Sequence, residues 1–330
     1  MMTMTMQRKA TQLYTDRDRE ALVAWTGLSM NIGMLVSELF FGAFISALKA
    51  HVAEGGTIPV DFLFIISDFA TYVVTPLFML IPLWKLRSLA PAEMDNHIPQ
   101  RYSVTRMIKM FLGISALMIL VSGAINILLT LIKLLQPAME EAEVFQVSDI
   151  FDLMSADGFA VYSIISTCVL SPVAEELIFR GITMRSFRTL GPAKAIVYSG
   201  LLFGLFHDNL QQGVYAFLVG MIFAYIDICA ESLMPSCILH VAINTYNYAV
   251  YTLATQVKAN DALLVSALSI EIFVAWMGIH IIRMYAFKIA AFIKDFKANF
   301  KIDTDGSGHS WQLIAYAIAI TLLCLKNSFI

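Results

Sequence analysis

An all-α bundle of about eight or nine membrane-crossing helices is the architecture this sequence calls for, and three features carry that reading. The chain is 58% hydrophobic and only 14% charged, where a soluble domain carries about 25% charged residues; its mean hydropathy is +0.73. From Met110 to Ile132 no charged side chain interrupts 23 residues, and about 20 apolar residues suffice to cross a hydrocarbon slab of ~30 Å as a helix. Three further stretches carry a single charged residue each: Glu38 in Ala21–Leu48, Asp68 in Phe62–Trp84 and Glu271 in Leu263–Ile282. These features exclude a water-soluble fold. With a net charge of −3 and no basic domain, they give no footing for nucleic acid.

Spans are expected at 21–48, 62–84, 110–133, 157–179, 193–208, 212–230, 234–256, 262–283 and 311–326. The first twenty residues are polar and precede a run long enough to span, so they read as a cytoplasmic segment and not as a cleavable signal. Lys and Arg favour the cytoplasmic side of short loops. They cluster before the first span, around the second loop (Lys85, Arg87, Arg101, Arg106, Lys109), near Gly191-Pro192 (Arg185, Arg188, Lys194) and after the eighth span. The loop with Glu140, Glu141, Glu143, Asp149, Asp152 and Asp157 has none. The alternation fits a multi-pass integral membrane protein with a cytoplasmic N-terminus, in the plasma membrane if the chain is bacterial. Four parts follow: the N-terminal segment 1–20, helices and loops 21–156, a polar-bearing core 157–256, and C-terminal helices and tail 257–330.

Two features are set aside. Cys168, Cys229, Cys237 and Cys324 lie scattered in apolar segments without a CxxC pair, as small buried hydrophobes do. Asp303-Thr-Asp305-Gly-Ser-Gly resembles the start of a calcium loop, but Ile314 stands where the twelfth-position Glu belongs.

Ionisable groups inside a bilayer cost at least ~2.5–3.5 kcal/mol each at its centre on insertion scales, so their clustering needs a reason. They cluster in three pieces. In Ser171-Pro-Val-Ala-Glu175-Glu176-Leu-Ile-Phe-Arg180, Glu176 and Arg180 share a helical face at i, i+4, while Glu175 is turned away by about 100°. One carboxylate is thereby neutralised and the other left free to act. The second piece is Phe203-Gly-Leu-Phe-His207, and the third is His240-Val-Ala-Ile-Asn244, again i, i+4. Taken singly, these would suit a snorkelling charge cluster, a packing imidazole and an interhelical hydrogen-bond pair.

Their relation says more. Glu175 lies 16 residues before Gly191 and His207 lies 16 after it. At 1.5 Å per residue both stand about 24 Å from that turn in a helical hairpin, at one depth. A Glu beside a His there is a general-base arrangement, and His and Asn can donate to a developing oxyanion. Counting along the third helix leaves His240 about 10 Å nearer the cytoplasmic side than His207, which a tilt, a kink near Pro235 or a re-entrant segment would have to absorb.

In this order the pieces resemble the CPBP family of intramembrane proteases, which includes CAAX prenyl endopeptidases and bacterial Abi immunity proteins. The family signature EExxxR, FxxxH, HxxxN reads here Glu175-Glu176…Arg180, Phe203…His207 and His240…Asn244. The resemblance covers roughly 157–256. It implies endoproteolysis of a membrane-associated peptide or protein: Glu175 and His207 activate water, His240 and Asn244 stabilise the oxyanion, and Glu176 and Arg180 set the site. Glu175, His207 and His240 could also supply three ligands of a catalytic zinc ion. No HExxH is present and the sequence requires no cofactor, so a metal-independent base is the preferred reading. Membrane lipid is the expected surrounding partner. Arg185, Arg188 and Lys194 would draw a substrate carboxylate.

Two other functions stay open at this point. In an ion- or proton-coupled transporter, Glu38, Asp68, Asp227 and Glu271 would join the cluster in a relay. No second copy of the motifs supports the paired halves typical of transporters. A non-catalytic immunity protein on the same fold is the other. Outside the cluster the four acidic residues are expected to face other helices or water.

Overall fold

The computed structural model describes residues 16–53, 60–88, 100–135, 161–255 and 261–299. The expected ninth span at 311–326, the acidic loop and the calcium-like segment lie outside the described residues. Eight rods follow one another: α1 Asp16–Ala53, α2 (60–88), α3 Val104–Leu135, α4 Val161–Leu190, α5 Pro192–Phe206, α6 Leu210–Ala230, α7 Met234–Thr255 and α8 Asp261–Asn299, with no strand among the described residues. They take up the first eight expected spans in order. Six are long and apolar enough to cross a membrane. The other two are α5, only 15 residues long, and α7, whose composition is more polar. These two carry the imidazoles.

The fourth span differs most from expectation. Sequence reading ends it at 179, at the first charged cluster, whereas α4 continues to Leu190. Arg180 and Glu176 are wholly buried against one another, so the charges do not mark an interface and the helix has no reason to stop. It stops at Gly191, whose φ of +94° suits a residue without Cβ. Pro192 then opens α5, where its missing N–H costs nothing. Pro235 likewise lies in the first turn of α7 and introduces no kink.

α1 packs on α2, α3 on α8, and α5 on α6. Gly204 and Gly213 bring α5 and α6 so close that a Cβ on Gly204 would stand 2.6 Å from the Gly213 carbonyl oxygen. Small residues permit this approach in membranes, where hydrophobicity does not drive helices together. α4 lies between α5 and α7 and also meets α2. An aromatic wedge of Phe179, Phe187, Phe203 and Phe206 fills the middle, while Ile81, Trp84 and Phe287 are among the large apolar side chains exposed on the outside, where lipid lies.

Three π-helical segments interrupt these rods among the described residues, Ala70–Val74 in α2 and Ser166–Leu170 and Leu177–Met184 in α4. The first two are each followed within two residues by a proline, Pro76 and Pro172. A proline ring clashes with the carbonyl four residues back and offers no N–H; a widened turn relieves both problems. In α4 the Ser171 N–H accordingly bonds to Ser166 O, one residue further back than in an α-helix. The Thr167 carbonyl, its α-helical acceptor, is released. In α2, Thr75 N–H reaches Ala70 O, which also accepts from the Ser37 hydroxyl of α1 at 2.7 Å.

Candidate active site

The α4–α5 hairpin holds the expected register. Phe179 and Phe203, each four residues nearer the turn than Glu175 and His207, pack edge to face with centroids 5.3 Å apart. Ser199 donates to Phe179 O at 3.1 Å. Glu175 and His207 therefore lie one turn further along the same seam.

Glu176 is fully buried, its Oε1 3.2 Å from Arg180 Nη1. The guanidinium lies over Phe203, 4.1 Å from the ring centroid, and 5.5 Å from that of Phe223. Ring faces attract a desolvated cation, so the charge is held by both an anion and π density. His240 places Nδ1 2.9 Å from the same Glu176 oxygen. An ionised Glu176 only accepts, so Nδ1 carries the proton, and Nε2 is the nitrogen turned toward Glu175, 3.6 Å from Oε2. His240 thus stands between two adjacent carboxylates that face apart on their own helix.

Glu175, buried on this count as well, takes its second contact from α2. The Tyr72 hydroxyl donates to Oε1 at 2.9 Å. His207 gives Nδ1–H to the Phe203 carbonyl at 2.8 Å, since a carbonyl only accepts, and this leaves Nε2 as its basic nitrogen. The imidazole stands edge-on to Phe203, centroids 4.8 Å apart. Asn209 caps the next helix by accepting from Gln212 N at 2.7 Å, fixing the short 207–209 link.

The anticipated depth offset does not keep the two imidazoles apart: the rings of His207 and His240 lie against the same Phe203 ring, centroids 4.8 and 5.8 Å from it. Asn244 Nδ2 donates to Thr167 O at 3.1 Å, the carbonyl released by the π-turn of α4. One of its two N–H groups is therefore engaged in shaping α4.

The structure brings Glu175, Glu176, Arg180 and His240 into direct contact, with His207 and Asn244 at the margins. Among the described residues no three His, Cys, Asp or Glu side chains form a group that could hold a metal ion. The zinc set of Glu175, His207 and His240 is therefore not a ready-made ligand trio. Of the four acidic residues left without a role, Glu38 is exposed and Glu271 half-buried. Asp227 is buried and accepts from the Ser236 hydroxyl at 2.6 Å, tying α6 to the start of α7. Asp68 accepts from Tyr162 at 2.9 Å and from Ser166. Tyr72 escaped sequence reading; its one signal was a place four residues after Asp68, on the same helical face.

Residues 157–246 match the family model described as type II CAAX prenyl endopeptidase Rce1-like. Comparison with curated proteins and with solved structures returns no match. The matched stretch contains all three polar pieces and ends two residues after Asn244.

Proposed function

We propose that the chain, whose residues 157–246 match the family model described as type II CAAX prenyl endopeptidase Rce1-like and which has six helices long and apolar enough to cross a membrane among the described residues, hydrolyses a peptide bond near a membrane-associated chain terminus, with Glu175 as general base. The observation that supports this most is the division between neighbours: Glu176 is paired with Arg180 at 3.2 Å, whereas Glu175, among the described residues, meets the neutral Tyr72 hydroxyl and the Nε2 edge of His240.

In the proposed reaction, water sits against Glu175 Oε2 and the basic Nε2 of His207, and loses its proton as oxygen adds to the scissile carbonyl. Glu175 shares the proton it collects with Nε2 of His240, 3.6 Å from its Oε2, so that His240 meets the oxyanion together with the N–H of Asn244 not used on Thr167. Glu176 orients His240 through Nδ1, and the proton collected by Glu175 passes to the leaving amine. Preorganised donors at a developing oxyanion contribute about 10²–10³ in rate each, and a positioned base about 10²–10⁴. No step passes through a metal. The site opens to the cytoplasm in this reading, where Arg185, Arg188 and Lys194 draw the substrate carboxylate.

The test is purification of the full chain in detergent, metal analysis, and cleavage of a peptide library by the parent and by Glu175→Ala. The variant is expected to fold and to lose cleavage by at least about 10²-fold. Cleavage by Glu175→Ala at the parental rate would overturn the assignment. A non-catalytic protein on this fold would show no cleavage in the parent either.

A further inference from the structure

The matched segment begins at residue 157, yet the side chain that touches Glu175 from the other side belongs to α2. Tyr72 is the visible end of a longer arrangement. Its hydroxyl donates to Glu175 Oε1 at 2.9 Å, and the Ser171 side chain lies beside it. Ser171 and Ser166 hydroxyls are 3.3 Å apart. Ser166 donates to Asp68 Oδ2, and Tyr162 donates to the same oxygen at 2.9 Å. A cluster of hydroxyls thus lies between the carboxylates of Asp68 and Glu175 along the α2–α4 contact, with the single Ser171 proton given to one neighbour.

The spacing that makes this possible is regular. Asp68 and Tyr72 on α2, Tyr162 and Ser166 on α4, and Ser171 and Glu175 on α4 are each i, i+4 pairs, so each shares a helical face. The π-turns at 70–74 and 166–170 adjust the register between them, and both come from a proline next to the cluster, Pro76 after Tyr72 and Pro172 after Ser171. These hydroxyls are part-buried between α2 and α4, where a polar group with a protein partner is held in place. A neutral donor fixes a carboxylate without cancelling its charge, as Arg180 does for Glu176. Tyr72 also packs against Phe206, centroids 6.2 Å apart, which fixes its ring beside His207.

We propose that Tyr72 is a positioning residue for Glu175, and that the hydroxyl cluster of Ser171 and Ser166 beside Asp68 supports Tyr72, so that α2 completes an active site whose family signature lies wholly on α4, α5 and α7. The inference rests on the reading of Glu175 as general base.

The experiment uses the full chain in detergent with a peptide that the parent cleaves. Tyr72→Phe removes one hydroxyl and keeps the ring. It is expected to lower kcat about ten- to hundredfold, the size of a lost hydrogen bond to a charged group, with KM unchanged. Ser171→Ala and Asp68→Asn act behind it in the cluster and are expected to lower kcat about two- to tenfold, again at constant KM. A purely structural contact would lower Tm while leaving kcat at parental level well below the unfolding temperature. Parental kcat in Tyr72→Phe, with Glu175→Ala inactive, overturns this proposal and leaves the general base standing; an active Glu175→Ala removes the base instead. If Tyr72→Phe does not fold, the other two variants decide, and parental kcat in both overturns the proposal.

Discussion

Toward α6 and α7, α4 presents Glu176 to a full positive charge; toward α2 it presents Glu175 to neutral hydroxyls. The first face is closed: Arg180 and Glu176 are wholly buried, the guanidinium is covered by Phe203 and Phe223, and His240 is anchored on Glu176. The second face is held by Tyr72 and the hydroxyl cluster behind it. Adjacent residues of one helix are thus given different kinds of partner. A charge partner lowers a carboxylate's basicity, whereas one hydroxyl partner holds it with far less change. Burial alone does not separate the two glutamates, since both are buried; the kind of partner does.

The contrast can be broken most severely at its charged side. Arg180→Met leaves Glu176 buried without a counter-charge, and removal of one member of a buried pair costs about 3–5 kcal/mol. Thermal unfolding in detergent should show that loss, and Arg180→Met combined with Glu176→Gln should recover part of it. If the single and double variants unfold together, the pair is not what holds this face.

A smaller effect is expected where α7 meets the distorted turn of α4. Asn244→Ala removes the hydrogen bond from Asn244 to the Thr167 carbonyl, and loss of such a bond costs about 0.5–1.5 kcal/mol. The same variant removes a proposed oxyanion donor. A fall in kcat larger than the fall in stability accounts for would sharpen the double role, and full activity at reduced Tm would reduce Asn244 to a purely structural part.

The mildest change is at the mouth. Arg185 is exposed and Arg188 half-buried, so attraction of a terminal carboxylate there is screened. Replacing both with Gln should raise KM by up to about fivefold at low salt and leave kcat alone. Unchanged KM and turnover would remove them from substrate binding.

Much of this molecule was legible in its sequence, for a definite reason. Helical rise is fixed at 1.5 Å per residue, so hydropathy alone places the eight described rods, and Gly191-Pro192 sets the α4–α5 register that aligns Glu175 with His207. The Glu176–Arg180 pair followed from i, i+4 geometry in the same way. Local periodicity could not supply the partners of Glu175. Tyr72 lies 103 residues away, and Asp68 reaches Ser166 across 98; contacts between separate helices leave no repeating pattern along the chain. The end of α4 was misplaced for the same cause, because a charge reads as an interface until its buried counter-charge is seen. Helix identity, hairpin register and the pairing of Glu176 with Arg180 come from local geometry, whereas the partners of Glu175 were decided only when α2 and α7 packed against α4.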